Sequence, residues 1–589
     1  MLVLLRYSIP LPFLHGNPIL SLLVLSYLSL SYAIADVLIL ADVFEAFREM
    51  GMMNFGLDPA HYVSAPQFAW DSMLKSTEAK VDLISDLSMY EMISSGIRGG
   101  ICMISKRHAK ANHEQMGELY NPDLPKKTIT YFDANNLYGY AMSQPLPDKD
   151  FQWVPPERHP TVQEIRNLPN YSPYGYVFEC DLRYPEKLHE LHNEYPLAPE
   201  RVNIETDMLS EKQLQIRLNY NISHAHTTKL VPHLGDRIHY VLHSAALKFY
   251  LVQGMELVRI HRCISFHQSP WMKVYVDRCS ALRAAATNEF ERDFFKIMVN
   301  SVYGKTVENQ SKRSDIKIVQ SRAQCKKLTE KPQCISFRIF SEHLAAVQSK
   351  KVSCMITKPF YVGFSVLDIS KVWMYRFHYE FVKPNFNDQA HLLFTDTDSL
   401  MYEIESGYKD VYECFKSNEN KTEPLFDFST LPTTNAYFSN KNKRVIGKFK
   451  DETSGDPIVE FIGLRPKMYS FTTLSMAKGT VKEKHRAKGI QYAAAARLTH
   501  AQYLAQLSNP TENRLTNKRI GSLLHHLYTL ATEKRALCAF DDKRYLCHDG
   551  VNTLAFGHHN LPSFVKVEFD SEHLMNPSAN VDAEGLPCE

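Results

Sequence analysis

The chain has 589 residues, too many for one core and enough for about three or four subdomains. Hydrophobic content of 44% and aromatic content of 11% describe a globular protein and exclude a disordered one. A formal net charge of +2 excludes bulk charge as a route to nucleic acid, so any such surface has to arise from local clustering.

Eleven cysteines without a single CxxC pair argue against zinc ribbons and against a secreted disulfide framework, and point to a reducing compartment. Pro18 to Ala35 carries no charged side chain, and Ala33-Ile34-Ala35 resembles a signal-peptidase site. A secretory or membrane alternative therefore stands beside a buried strand or helix. Pro10, Pro12 and Pro18 break the apolar run and only Arg6 is basic there, so an intracellular chain without stable membrane association is expected.

Residues 36–50 have apolar side chains at helical spacing and read as an amphipathic helix, followed after Pro59 and Pro66 by a helical stretch over 70–95. Gly96-Ile-Arg98-Gly99-Gly100 is a basic, flexible turn. Residues 127–133 are β-branched and aromatic, and predict a strand that ends on Asp133. Residues 145–235 are proline-rich, with strand-like runs such as Tyr174–Cys180. His239 to Gly254 and Glu289 to Val302 read as helices. Residues 310–358 alternate basic clusters with short apolar runs. His391–Thr395 and Ser399–Ile404 flank Asp396-Thr-Asp398 as a hairpin. From about residue 495 the pattern reads as mostly helical.

Four segments carry chemistry. Joining a nucleoside triphosphate to a DNA end needs divalent ions, which prefer carboxylates converging from different strands. Asp133 and Asp398 can supply them if their strands are neighbours, with Asp396 beside Asp398 either assisting or shaping the turn. The plainer reading of Asp-Thr-Asp-Ser is an ordinary polar turn. Arg292, Lys296, Asn300 and Tyr303 share one helix face, offering two cations to a triphosphate, and Gly304 is expected to end that helix. A solvated helix surface would look similar. Tyr138 is placed to pack under a sugar, or is a core tyrosine. Lys441–Lys450, containing Lys448, and Lys478–Lys488 are the densest basic stretches, suited to phosphate contacts or to solvent. Lys467 and Tyr469 are expected to share one side of a strand.

In order along the chain, Asp133-Ala-Asn-Asn-Leu-Tyr138-Gly139, Phe294-Phe-Lys296-Ile-Met-Val-Asn300-Ser-Val-Tyr303-Gly304, Phe394-Thr-Asp396-Thr-Asp398-Ser399 and Lys467-Met-Tyr469 resemble motifs A, B, C and KxY of protein-primed family B DNA polymerases, especially those of Polinton/Maverick-type mobile elements and related viruses. Gly99-Gly100 stands where that family links its exonuclease and polymerase parts. The resemblance implies an α+β right hand of palm, fingers and thumb, with insertions between motifs A and B and between B and C. It implies DNA-directed DNA synthesis from dNTPs with two Mg²⁺ ions, Mn²⁺ being the alternative. Asp133 and Asp398 would bind the metals. Arg292, Lys296, Asn300, Tyr303 and Gly304 would serve the nucleotide, and Tyr138 would select deoxyribose. Ser399, Lys467, Tyr469, Lys448, Gly99 and Gly100 would contact primer or DNA. Template, primer and a terminal priming protein are the implied partners, in a nuclear or viral-factory setting.

The implied layout is an apolar segment (1–31), an exonuclease remnant (32–95), palm (96–144), first insertion (145–262), fingers (263–306), second insertion (307–358), palm (359–490), and thumb with tail (491–589). Tyr32 and Asp36 resemble the third exonuclease motif, but the upstream carboxylates have no counterpart. Absence of 3′–5′ exonuclease activity is therefore expected. The rival reading is a decayed element copy that binds DNA without copying it.

Overall fold

The computed structural model describes residues 18–561 except 224–227, 311–312, 352, 354, 419–423, 477 and 524–525, with side chains from residue 29 onward. The apolar start before residue 18 and the tail from 562 lie outside the described residues. Helix makes up 38% and strand 29%, in keeping with the α+β expectation. Among the described residues no helix is long and apolar enough to cross a membrane. Two compact units form: Met1–Ala79 with Asp277–Lys305, and Lys80–Val276 with Thr306–Glu589.

In the first unit, the predicted helix over 36–50 is part of a longer one, Pro18–Phe55. Phe47 and Phe55 of that helix pack on Phe294, the two ring centroids lying 5.3 and 6.4 Å from it. Tyr32 and Asp36 lie on exposed stretches of the same helix. The single helical stretch expected over 70–95 is corrected to two helices, Ala65–Thr77 and Leu87–Ser95. Glu78 adopts a left-handed φ of 52° and ends the first, while the Asp86 carboxylate caps the second. The second of these belongs to the second unit.

The second unit is built on a six-stranded sheet whose order runs Cys102–Ile104, Ala390–Asp396, Ser399–Ile404, Thr128–Ala134, Phe449–Asp451, Phe426–Asp427. Alternation assigns its two faces. Phe132, Ala134, Leu400, Tyr402 and Phe449 enter one core with Trp373, Phe377 and Phe381 of the long helical segment Phe360–Val382. Ile129, Met401 and Phe394 enter another with Phe461, Tyr469 and Phe471, from a four-stranded sheet that covers the opposite face.

A second four-stranded sheet is ordered Leu146–Trp153, Glu256–Ser269, Tyr174–Arg183, Arg237–His243. The helix expected from His239 begins only at Ser244, because Tyr240–Leu242 are buried strand residues and the His243 imidazole caps the helix at Ala245 N, 3.1 Å away. Ser314–Val319, Leu344–Lys350 and Cys334–Ser341 form a three-stranded sheet in that order, packed with the helix Arg322–Thr329. The mostly helical C-terminal expectation is corrected as well. After His500–Ser508, residues Arg514–Leu523 and His526–Arg535 pair as antiparallel strands.

Candidate active site

Asp133, next to last in its strand, lies directly opposite Ser399, the residue after Asp398. Ala134 N donates to Asp398 O at 2.7 Å, which holds the two aspartate-bearing backbones edge to edge. Asp133 has the strand parity of Ile129 and Asp396 that of Phe394, so both carboxylates belong to the face covered by Tyr469 and Phe471. Burial and then the Asp398 charge push the Asp133 carboxyl up to about 7. Burial raises Asp398 too, with Asp396 adding to it. The repulsion that Asp398 exerts on Asp133, from the turn beside its strand, marks the two as a hard donor pair, a set that suits Mg²⁺.

Two cations temper that repulsion. Lys450, the cross-strand neighbour of Asp133, places Nζ 3.1 Å from Asp133 Oδ1 and also pairs with Glu452. Lys467 hydrogen-bonds Asp396. Asp396 therefore answers Lys467, and Asp133 answers Lys450. The expectation that Lys467 lies on a strand is corrected. It occupies the two-residue turn between Ile458–Arg465 and Met468–Ser475, with φ 61°. Pro466 sets up this turn, which swings the lysine toward the hairpin. Tyr469 is on the strand, only 6% exposed, and stacks on Phe394 with centroids 4.6 Å apart.

The Asp396-Thr-Asp398 hairpin is as expected, with Thr397 at φ 68°. Gly100 is part of this turn's packing. A Cβ there would run into the Thr397 side chain, and Thr397 N donates to Ile101 O at 2.7 Å. Gly99 has open space around its Cα. Tyr138 sits on the short helix that follows Asp133, close enough to Asp398 that burial and that charge push its phenol up to about 12. Lys448 enters through its backbone, its carbonyl accepting from Asn135 N at 2.8 Å.

Arg292, Lys296, Asn300 and Tyr303 lie on the helix Glu289–Thr306 of the other unit. Phe294, Phe295, Met298, Val299 and Val302 form its buried side, and Lys296 and Asn300 are exposed. Gly304 does not end this helix, which continues to Thr306. Backbone bonding there tolerates an exposed glycine with no neighbour within 4 Å.

Lys450 and Glu194 were not singled out by sequence. Lys450 was visible only as one of several basic residues, and alternation with Phe449 was the available signal. Glu194 accepts from Leu392 N at 3.0 Å and pairs with His391 at 2.9 Å, so a residue distant in sequence grips the strand that carries Asp396. The basic stretch Lys478–Lys488 resolves into an edge strand, Thr480–Ala487. Lys482, Lys484 and Arg486 pair with Thr473, Phe471 and Tyr469, and so form an exposed cationic row on the face that Tyr469 shares.

Residues 26–370 match the family model described as DNA polymerase type B, organellar and viral. No curated protein matches the chain. Among solved structures, Phi29 DNA polymerase in an orthorhombic crystal form is 12% identical, covering 82% of this chain and 69% of that one at a TM-score of 0.49. Phi29 DNA polymerase complexed with primer-template DNA and incoming nucleotide substrates has the same identity and coverage at 0.48. The family B DNA polymerase from the hyperthermophilic archaeon Pyrobaculum calidifontis is 11% identical, covering 76% of this chain and 36% of that one at 0.27.

Proposed function

The chain belongs to the organellar and viral type B DNA polymerases, an α+β right hand, and from that premise we propose that it extends a primer on a DNA template at Asp133 and Asp398. One observation carries the reading. Burial, and then the charge of Asp398 in the turn beside its strand, push the Asp133 carboxyl up to about 7. Such a pair is costly to keep charged without a cation.

Asp133 and Asp398 are the proposed Mg²⁺ ligands, and the bound ions would supply activation of the primer hydroxyl and neutralisation of the triphosphate. Lys450 favours the ionised form of the Asp133 carboxylate against burial and Asp398. Lys467, tied to Asp396, and Tyr469, stacked on Phe394, brace the hairpin and take the primer end. Gly100, packed against Thr397, fixes the backbone of that turn, and Ser399 continues it. Tyr138, half-buried near Asp398, takes the sugar and disfavours a 2′-hydroxyl. Arg292, Lys296, Asn300 and Tyr303 are assigned the incoming nucleotide through their resemblance to motif B. The row Lys482, Lys484 and Arg486 takes backbone phosphates. Initiation from a terminal protein, in a mobile element or virus, completes the proposal.

The test is extension of a labelled primer with dNTPs and Mg²⁺, comparing the chain with Asp398→Ala. Extension lost in the variant supports a live polymerase. A folded chain that retains template yet extends nothing would favour the decayed, DNA-binding copy.

A further inference from the structure

Away from the carboxylate centre, the chain brings three metal-type donors together from distant sequence. Glu190 lies on the short helix His189–His192, and His558 and His559 follow the strand Thr553–Leu554. Glu190 Oε1 stands 3.5 Å from His558 Nε2 and 3.4 Å from His559 Nε2. One donor atom of each residue lies within 4.8 Å of the others. Ligands about 2.0–2.1 Å from a tetrahedral zinc ion are ~3.3–3.4 Å apart, so both nitrogen–oxygen separations already fit.

A second observation points to a ligand. His558 is 2% exposed and its Nε2 has no hydrogen-bond partner, although it faces Glu190. A buried polar nitrogen left in this way bears its desolvation cost without a compensating bond. The neighbouring contacts form a clasp around the same helix. Arg544 Nη1 donates to Asn193 O at 2.8 Å, Ala555 N donates to Asn193 Oδ1 at 2.8 Å, and His559 N donates to His189 Nδ1 at 3.0 Å. Four residues beyond Glu190, Glu194 holds the strand of Asp396.

We propose that Glu190, His558 and His559 bind one Zn²⁺, with solvent as the fourth ligand, and that the ion fastens the C-terminal segment to the helix beside Glu194. Two imidazoles and one carboxylate suit zinc and differ from the all-oxygen set at Asp133 and Asp398, which suits Mg²⁺. Coordination through Nε2 puts the His558 proton on Nδ1. The Asn560 N–H, 3.2 Å from Nδ1, then has to turn away, a local change that accompanies loading.

The experiment uses the full chain, stripped with chelator and titrated with Zn²⁺ against a chromophoric competitor, then with Co²⁺ read by visible absorption. The expected result is one tight Zn²⁺ per chain and the intense Co²⁺ bands of a four-coordinate site. Glu190→Gln, at a side chain that is 73% exposed, is expected to fold and to weaken Zn²⁺ by at least the ~10–100-fold that loss of an outer-shell partner costs. His559→Gln should do the same, while Asp398→Asn should leave zinc affinity intact. Equal Zn²⁺ affinity in the wild type and Glu190→Gln would overturn the proposal. So would a Co²⁺ spectrum of octahedral, all-oxygen type alone.

Discussion

Lys450 lies directly across the sheet from Asp133, its ammonium 3.1 Å from the Asp133 carboxylate. That carboxyl is pushed up to about 7, first by burial and then by Asp398, and Lys450 acts against both. Replacing the lysine by methionine keeps the length of the side chain and removes the charge. The Asp133 carboxyl then rises further, and its ionised form appears only at higher pH. The acid limb of primer extension, measured at limiting Mg²⁺, should move upward by about one pH unit in Lys450→Met. An unmoved acid limb would detach Lys450 from the chemistry.

Gly100 and Thr397 make a second pair that can be separated by mutation. A methyl at position 100 overlaps the threonine side chain in a turn where Thr397 is already left-handed at φ 68°. Gly100→Ala should lower stability by about 1–3 kcal/mol and cut extension, since overpacking shifts the backbone between Asp396 and Asp398. Thr397→Gly removes both the overlap and the left-handed strain. The double variant should recover most of the lost melting temperature. Additive losses would show that the two residues do not meet as described.

Glu194 gives a stability prediction with a defined sign. Burial raises its carboxyl, but His391, Lys383 and the Leu392 N–H outweigh that and hold it down at about 2, against an ordinary 4.5. A carboxylate depressed on folding stabilises fully above its ordinary value, and the contribution fades as pH falls from about 4.5 to about 2. Glu194→Gln should therefore cost about 1–3 kcal/mol at pH 7 and progressively less below pH 4.5. Thermal melts across pH 3 to 7 decide it. A constant difference between the two proteins across that range would count against the ion-pair account.

What was legible in the sequence follows from which residues have a buried face. The strands around Asp133 and Asp398 alternate between two cores, so their period and the hairpin between Asp396 and Ser399 could be read directly. The strands Arg514–Leu523 and His526–Arg535 are exposed along most of both faces, leaving no apolar period to read. Tyr240–Leu242 form an unbroken apolar run, which serves a buried strand as well as a helix. Lys467 was misplaced because Met468–Ser475 is strongly strand-like, although Pro466 before it was a turn signal. Asp133, Asp398 and Lys467 came from the resemblance as much as from chemistry. Lys450 and Glu194 depend on pairing across 317 and 198 positions, which no local pattern encodes.

The cationic row makes the last prediction. Lys482, Lys484 and Arg486 alternate along Thr480–Ala487 and share the face of Thr473, Phe471 and Tyr469. Lys482 stands 3.5 Å from Asp456, and Lys484 lies over the Phe471 ring at 5.8 Å, so each stem is oriented while its charge stays exposed. Phosphate contacts of this kind release counterions, and each contributes about 0.9 to the slope of log affinity against log salt for duplex DNA. Replacing all three by glutamine should weaken primer-template binding uniformly across sequences and flatten that slope by about 2 to 3. The folded core beneath should be unaffected, because none of the three is buried. A slope unchanged within 0.5 would place the DNA on another face, and the row would then be ordinary solvated surface. A loss confined to one template sequence would instead indicate base contacts, which alternating lysines on an edge strand are poorly suited to make.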